Sequence, residues 1–511
     1  MKKCLTILLC ACLLLGCIPA LGALASGQTT ASAQTTTEST GQTTGESTGQ
    51  TTRPQSASYM PLNPSQGFGG GTFSITMPAQ SNATSYSIYW GDAQGNKLPG
   101  YTALHTDKIT SSSILAVVSD GFTVPAQAKT LLIYTSSEQY GECLVPYKLD
   151  LPKITLPGTG KKLAEFVVVS DLHIGRDKIA EKNFVAMLRD VKTTAPNASG
   201  IIVVGDAVDS ASDANYALFD QLYASVPGAA PIYRGIGDAE YLTPGSYAYD
   251  ATAHSANLQK FLNHVKAPTG VKPQTQYYTY SLGGCHMVFI GADSYIDGNA
   301  VYSDKQINWL QSVLSHISAD EPVFIFMHEP IPETVSGSAS LQGYGNVYNF
   351  MQMQSTIELH PKAFVFNGHT HWAMEADRTV HVFKSGARAF NTASVASLWN
   401  DKGGAGYEIA GSQGYYVTVY EDAVLIRGRD FATGQWIAQA EFLLSTKKPA
   451  ETTQTVTTAA PKATTAATTE AETEPAEESI LSELGLPLCI LAVMALIAFV
   501  IVFRKPKDPE T

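Results

Sequence analysis

The chain is poor in cysteine, in charge and in basic clusters, and each shortage narrows what it can be. Seven cysteines occur in 511 residues, four of them within the first 17 positions, and Cys489 lies in a C-terminal apolar run. That leaves Cys143 and Cys285 for the folded region, which is too few for a disulfide scaffold, and two free buried thiols are expected. Asp, Glu, Lys and Arg make up 15% of the chain, and 33 basic against 45 acidic residues give a net charge of −12. No basic cluster stands in the middle of the sequence, so a nucleic-acid-binding surface is excluded. Long apolar runs without a charge are also missing there and occur at the two ends.

The ends read as targeting and anchoring segments. Residues 1–25 carry two lysines, an apolar run and then Ala23-Leu24-Ala25, the pattern of a signal peptide with a small-residue cleavage site. Leu14-Leu15-Gly16-Cys17 resembles a lipoprotein box, but an anchor at the other end makes cleavage after Ala25 the favoured reading. That anchor is Leu484–Phe503, twenty residues without a charge. At about 1.5 Å per residue such a helix spans roughly 30 Å, the thickness of a bilayer core. Arg504, Lys505 and Lys507 follow, which places the tail 504–511 in the cytoplasm and the rest of the chain outside the cell. Two low-complexity stretches, 26–59 rich in Thr, Ser, Gly and Gln and 447–478 rich in Thr, Ala, Glu and Pro, bury too little apolar surface to fold and read as tethers.

Between the tethers the pattern has two halves. Residues 60–155 contain short alternating runs ("GTFSITM", "SYSIYW", "SSILAVVS", "KTLLIYTSS") separated by Gly, Pro, Asn and Asp, which predicts a small all-β sandwich of fibronectin or immunoglobulin type. From 162 to 446 apolar strands alternate with helical spacing. "AEFVVVSD", "GIIVVGD", "PIYRGIGD", "PVFIFMHEP" and "AFVFNGHTH" predict buried strands of a layered α/β core.

Each of these strands runs into a chemically active residue: Asp171 with His173, Asp206, Asp238, His328, and His369 with His371. One histidine after a strand is usually a hydrogen-bonded structural group. Seven carboxylate and imidazole donors at the same place on successive strands would repel one another or lose solvation unless cations compensate. Mixed hard oxygen and borderline nitrogen suit Zn, Mn or Fe, and seven donors exceed what one such ion takes. Two divalent ions sharing a bridging carboxylate account for the number.

"SDLH", "VVGDAVD", "GDAE", "MHEP" and "NGHTH", in that order, resemble the signature of the calcineurin-like metallophosphoesterase superfamily over about 162–446. With a β-sandwich in front, the layout is similar to that of purple acid phosphatases. The resemblance implies a four-layer sandwich with two metals at one edge. It also implies hydrolysis of a phosphate ester by water or hydroxide held between the ions. By position, Asp171, His173 and His371 would bind the first metal, Asp206 would bridge, and His328 and His369 would bind the second. Asp209 would hold its loop or a histidine N–H from behind; a purple acid phosphatase has a tyrosine there, so no charge-transfer colour is expected.

The block "GDAE" departs from the family's Gly-Asn-His-Glu. Asp238 replaces an asparagine ligand and adds a negative charge, which favours metal retention and a singly charged substrate. Ala239 replaces the histidine that protonates the leaving group, a loss that usually costs about 10²–10⁴ in rate. Glu240 as a substitute acid and Arg234 or Tyr241 as phosphate contacts are the expectations drawn from this block; His254 and His286 are the further histidines to look for in the cleft. Two functional readings follow. One is an exported, membrane-anchored phosphoesterase, acting as a monomer on a phosphodiester or activated monoester. The other is a catalytically weakened domain that binds a phosphorylated surface ligand.

Overall fold

The computed structural model describes residues 49–62, 69–118, 121–152, 156–246, 248–265, 272–401 and 406–447. The expected signal segment 1–25, most of the tether 26–59, the tether 447–478 beyond its first residue, the span 484–503 and the tail 504–511 lie outside them. Among the described residues no helix is long and apolar enough to cross a membrane.

The N-terminal half is built of β1 (Ser56–Pro61), β2 (Gly71–Thr76), β3 (Ser85–Gly91), β4 (His105–Lys108), β5 (Ser113–Val118), β6 (Thr130–Ser137), β7 (Gly141–Glu142) and β8 (Tyr147–Asp150). One antiparallel sheet has the order β1-β2-β5 and the other β4-β3-β6-β7, with β8 also on β6. Alternation puts Phe73, Ile75, Tyr86, Ile88, Trp90, Leu131 and Ile133 in the buried cluster between them. Residues 49–59 correct the expected tether. Ser56–Pro61 pair with β2, Thr51 is buried, and its Oγ1 donates to the Gly141 carbonyl at 2.6 Å. A polar composition concealed this segment, whose backbone and hydroxyls are satisfied by the sheet rather than by an apolar core.

The second half runs β9 (Lys162–Val169), α1 (Lys178–Thr194), β10 (Ile201–Val203), α2 (Asp213–Ala224), β11 (Ile232–Arg234), a 3-10 turn at Ala239–Tyr241 and α3 (His254–His264). It continues through β12 (Tyr278–Leu282), β13 (Cys285–Ile290), the hairpin β14 (Ser294–Ile296) and β15 (Asn299–Val301), α4 (Asp304–Ser315), β16 (Val323–Met327), α5 (Phe350–Ile357) and β17 (Ala363–Asn367). Last come β18 (Val380–Val382), β19 (Arg388–Asn391), the hairpin β20 (Leu398–Asp401) and β21 (Gly406–Ile409), β22 (Gln413–Tyr420), β23 (Ala423–Asp430) and β24 (Gln435–Ser445).

Two mixed six-stranded sheets, β11-β10-β9-β22-β23-β24 and β12-β13-β16-β17-β19-β18, pack face to face. Phe166, Val168, Ile202 and Val204 of the first meet Phe289, Phe324, Phe326 and Phe366 of the second in one buried cluster. The outer faces carry helices. In α1, Ala180, Phe184, Met187, Leu188 and Val191 make a stripe at helical spacing, while Asp177 caps the first turn by accepting from Ile179 N and Ala180 N. Leu310 and Leu314 of α4 and Met353 and Ile357 of α5 cover Ile325 and Val365 on the other side. The result is a helix–sheet–sheet–helix sandwich whose parallel strands β9, β10, β11, β16 and β17 all end at one edge.

The all-β half is fastened to the far edge strand, β24. Thr102 N donates to Trp436 O at 2.9 Å, Leu443 N donates to Thr123 Oγ1 at 2.8 Å, and Tyr101 Oη donates to Glu441 Oε2 at 2.6 Å. The Arg427 guanidinium lies 3.7 Å from the centre of the Trp436 ring. Cys143 and Cys285 are free and buried, as expected.

Candidate metal centre

The loops leaving the parallel strands make tight turns that only a few residue types tolerate. Asp171, His173, Asp206, His369 and His371 all have positive φ, between 44° and 66°. Asp and His enter this left-handed region more readily than other non-glycine residues, and such strain collects where side chains must converge. Two glycines make the convergence possible. A Cβ on Gly205 would strike the His328 ring, and one on Gly368 would overlap Ser170 Oγ and the Asp171 carboxylate.

The seven expected donors meet. Asp171, His173 and His371 form one group, Asp238, His328 and His369 a second, and Asp171, Asp206 and His328 a third that links them. Within each group the ligand atoms lie within 4.8 Å of one another. His371 Nε2 is 3.0 Å from Asp171 Oδ1 and 3.1 Å from His173 Nε2. His369 Nδ1 is 3.0 Å from Asp238 Oδ1, which is itself 3.3 Å from His328 Nε2. Asp206 faces both ways, with Oδ2 3.5 Å from His173 Nε2 and Oδ1 3.4 Å from His328 Nε2. Behind them, Asp209 Oδ1 is 3.2 Å from His173 Nδ1, which turns the other ring nitrogen toward the cluster.

The electrostatics are those of a site made for cations. Burial pushes the Asp171 carboxyl up, but His371, His328 and His173 outweigh it and hold the group well below the usual carboxylate range. Burial likewise opposes charge on His173, yet Asp209, Asp206 and Asp171 raise it to about 9. Asp238 is depressed despite burial by His369 and His328. His328 is fully buried and neither ring nitrogen makes a hydrogen bond. Three carboxylates crowd its Nε2 at 3.3–3.8 Å without a well-formed hydrogen bond, an arrangement that a coordinated ion would satisfy, so the donor set fits divalent metal.

Two expected site residues are elsewhere. Glu240 is fully buried and its carboxylate is spent on backbone: Oε2 accepts from Gly237 N at 2.7 Å and Asp206 N at 3.0 Å, and Oε1 accepts from Val208 N at 3.1 Å. Burial and Asp206 raise it to about 7, but it braces the two metal loops from below and does not line the cleft. Arg234 is buried on β11, donates to the His264 carbonyl and lies over the Phe219 ring at 4.7 Å. Tyr241 donates to Ala292 O and stacks on His254, while the exposed His286 lies 3.1 Å from Glu321. None of these reaches the site.

The cleft over the donors, about 430 Å³, has lining that motif reading missed. Along with Ala239, the residues Arg176, Leu242, Tyr344, Trp399 and Glu408 border it. Arg176 lay in plain view three residues after His173; Tyr344 and Trp399 carried no signal, since only the tertiary fold brings them near. No cleft residue comes from 49–152, so the all-β half does not shape it.

No family model and no curated protein matches the chain. Among solved structures it is similar to a purple acid phosphatase from yellow lupin (Lupinus luteus) seeds, with 10% identity and a TM-score of 0.42, covering 77% of this chain and 74% of that one. It is also similar to GAP50 of Plasmodium, the anchor in the inner membrane complex (12% identity, 56% and 90% covered, TM-score 0.37). A third is phosphopantetheinyl hydrolase from Mycobacterium tuberculosis (16% identity, 46% and 90% covered, TM-score 0.29).

Proposed function

We propose, for a chain whose motif order and four-layer fold resemble the calcineurin-like metallophosphoesterases, that it is a metal-dependent phosphoesterase favouring singly charged phosphodiesters. The carrying observation is the convergence of Asp171, His173, Asp206, Asp238, His328, His369 and His371 into three linked groups of ligand atoms. Asp171, His173 and His371 would hold one divalent ion, Asp238, His328 and His369 another, and Asp206 would serve both. Bound ions supply Lewis acidity and make water a nucleophile near neutral pH. The chain's residues orient and balance charge. Three carboxylates, Asp171, Asp206 and Asp238, against two divalent ions leave about +1, which suits a monoanion better than a dianion. Ala239 offers no proton donor, so good leaving groups are preferred.

The expected signal and span are the ground for proposing an exported protein held at the cell membrane by 484–503; that its N-terminal half is of fibronectin or immunoglobulin type and that it acts as a monomer are part of the same proposal. The test is hydrolysis of bis(4-nitrophenyl) phosphate by the purified full chain with Mn or Zn, with Asp206→Asn as control. Turnover lost in the control supports the reading. A chain that binds both ions but turns over nothing, in either form, leaves the second reading, a weakened phosphoester-binding domain, for which Ala239 is the motivation.

A further inference from the structure

Of the side chains lining the cleft, Arg176 carries the sole Lys or Arg charge among the described residues. It belongs to the loop that delivers Asp171 and His173. Its Nε is 3.0 Å from Asp177 Oδ2 and one terminal nitrogen donates to Ser397 Oγ at 3.2 Å, so the guanidinium is held on one side. The other terminal nitrogen stands 4.0 Å from Glu408 Oε1, beyond hydrogen-bond reach. The rest of the bordering charge is acidic: Asp206, Asp209, Asp238 and Glu408. An anionic ester entering there meets one organic cation, with N–H groups to offer two oxygens.

The neighbouring wall is aromatic and rigid. Trp399 N donates to His371 O at 2.8 Å and its carbonyl accepts from Ala373 N at 2.8 Å, so the residue is tied to a metal loop. Its ring packs at 26° on Trp372, and the half-buried Tyr344 has its ring centre 6.1 Å from Trp399 and 5.8 Å from His369. Both line the cleft beside the donors and both are only half-buried. Such faces hold flat rings by stacking and discriminate little among alkyl groups.

We propose that Arg176 contacts the phosphate of the substrate and that Trp399 with Tyr344 stacks one of its ester groups, so the substrate class is a singly charged phosphodiester bearing a planar ring. This rests on the phosphoesterase reading, and its test is kept separate by using anions that cannot be hydrolysed. Diphenylphosphinate and dimethylphosphinate are titrated calorimetrically into the metal-loaded full chain, with metal content measured for every variant. The phenyl compound is expected to bind about tenfold tighter. Arg176→Gln weakens both by about tenfold, with Arg176→Lys between, and Trp399→Leu weakens the phenyl compound alone. Equal affinity for the two anions, no binding of either, or indifference to Arg176→Gln at full metal content overturns the proposal. Preserved selectivity without any turnover of bis(4-nitrophenyl) phosphate removes the phosphoesterase reading instead and leaves a ring-selective anion site.

Discussion

At the scale of single residues, positions 238–240 decide most. Asp238→Asn with Ala239→His introduces a neutral ligand and a proton donor beside Asp206, whose Oδ1 already accepts from Ala239 N at 2.9 Å. Activity toward 4-nitrophenyl phosphate is expected to rise by about 10²-fold, measured as kcat/KM, with little change for the activated diester. No rise would mean that the cleft position of Ala239 is not the acid position. Glu240 shows where motif reading stops. The sequence showed a carboxylate without its usual neighbour, and a substitute acid was a fair expectation. Burial is a tertiary property, and three backbone donors claim both oxygens. Glu240→Ala leaves those donors unpaired and should lower stability by about 3 kcal/mol or more, together with metal retention, in thermal unfolding with and without added Mn.

At the scale of elements, the strand ends were the legible part. Apolar runs closing on Asp or His can be read without coordinates, because a buried parallel strand is a continuous hydrophobic run and its ligands follow it. The turn conformations could not be read. Positive φ at five donors is imposed by the loops meeting, as is the need for Gly205 and Gly368. Gly368→Ala is expected to abolish metal binding, seen as loss of metal after dialysis, because the new methyl overlaps Asp171. The loops also set a pH signature. In the metal-free chain, His173 is raised from 6.5 to about 9. Its contribution to stability is therefore complete below about 6.5 and fades as pH rises through about 9. Metal affinity runs the other way, since a ligand must lose that proton. Calorimetry at pH 7 in buffers of different ionisation enthalpy should detect proton release on loading; none would contradict the assignment.

At the scale of the whole molecule, the two halves share one hydrophobic cluster and a strand edge. Nothing in the sequence announced this seam. Tyr101 and Glu441 are 340 positions apart, and Trp436 carries the guanidinium groups of both Arg427 and Arg429 over its ring. Since the seam lies away from the cleft, Trp436→Ala should cost about 2–4 kcal/mol in unfolding without altering KM. A large change in KM would show that the all-β half reaches the substrate after all.

His173 and His371 touch across 198 positions of chain. A growing polypeptide therefore carries two of the three members of their donor group, Asp171 and His173, long before the third, and no fragment ending before His371 has the group complete.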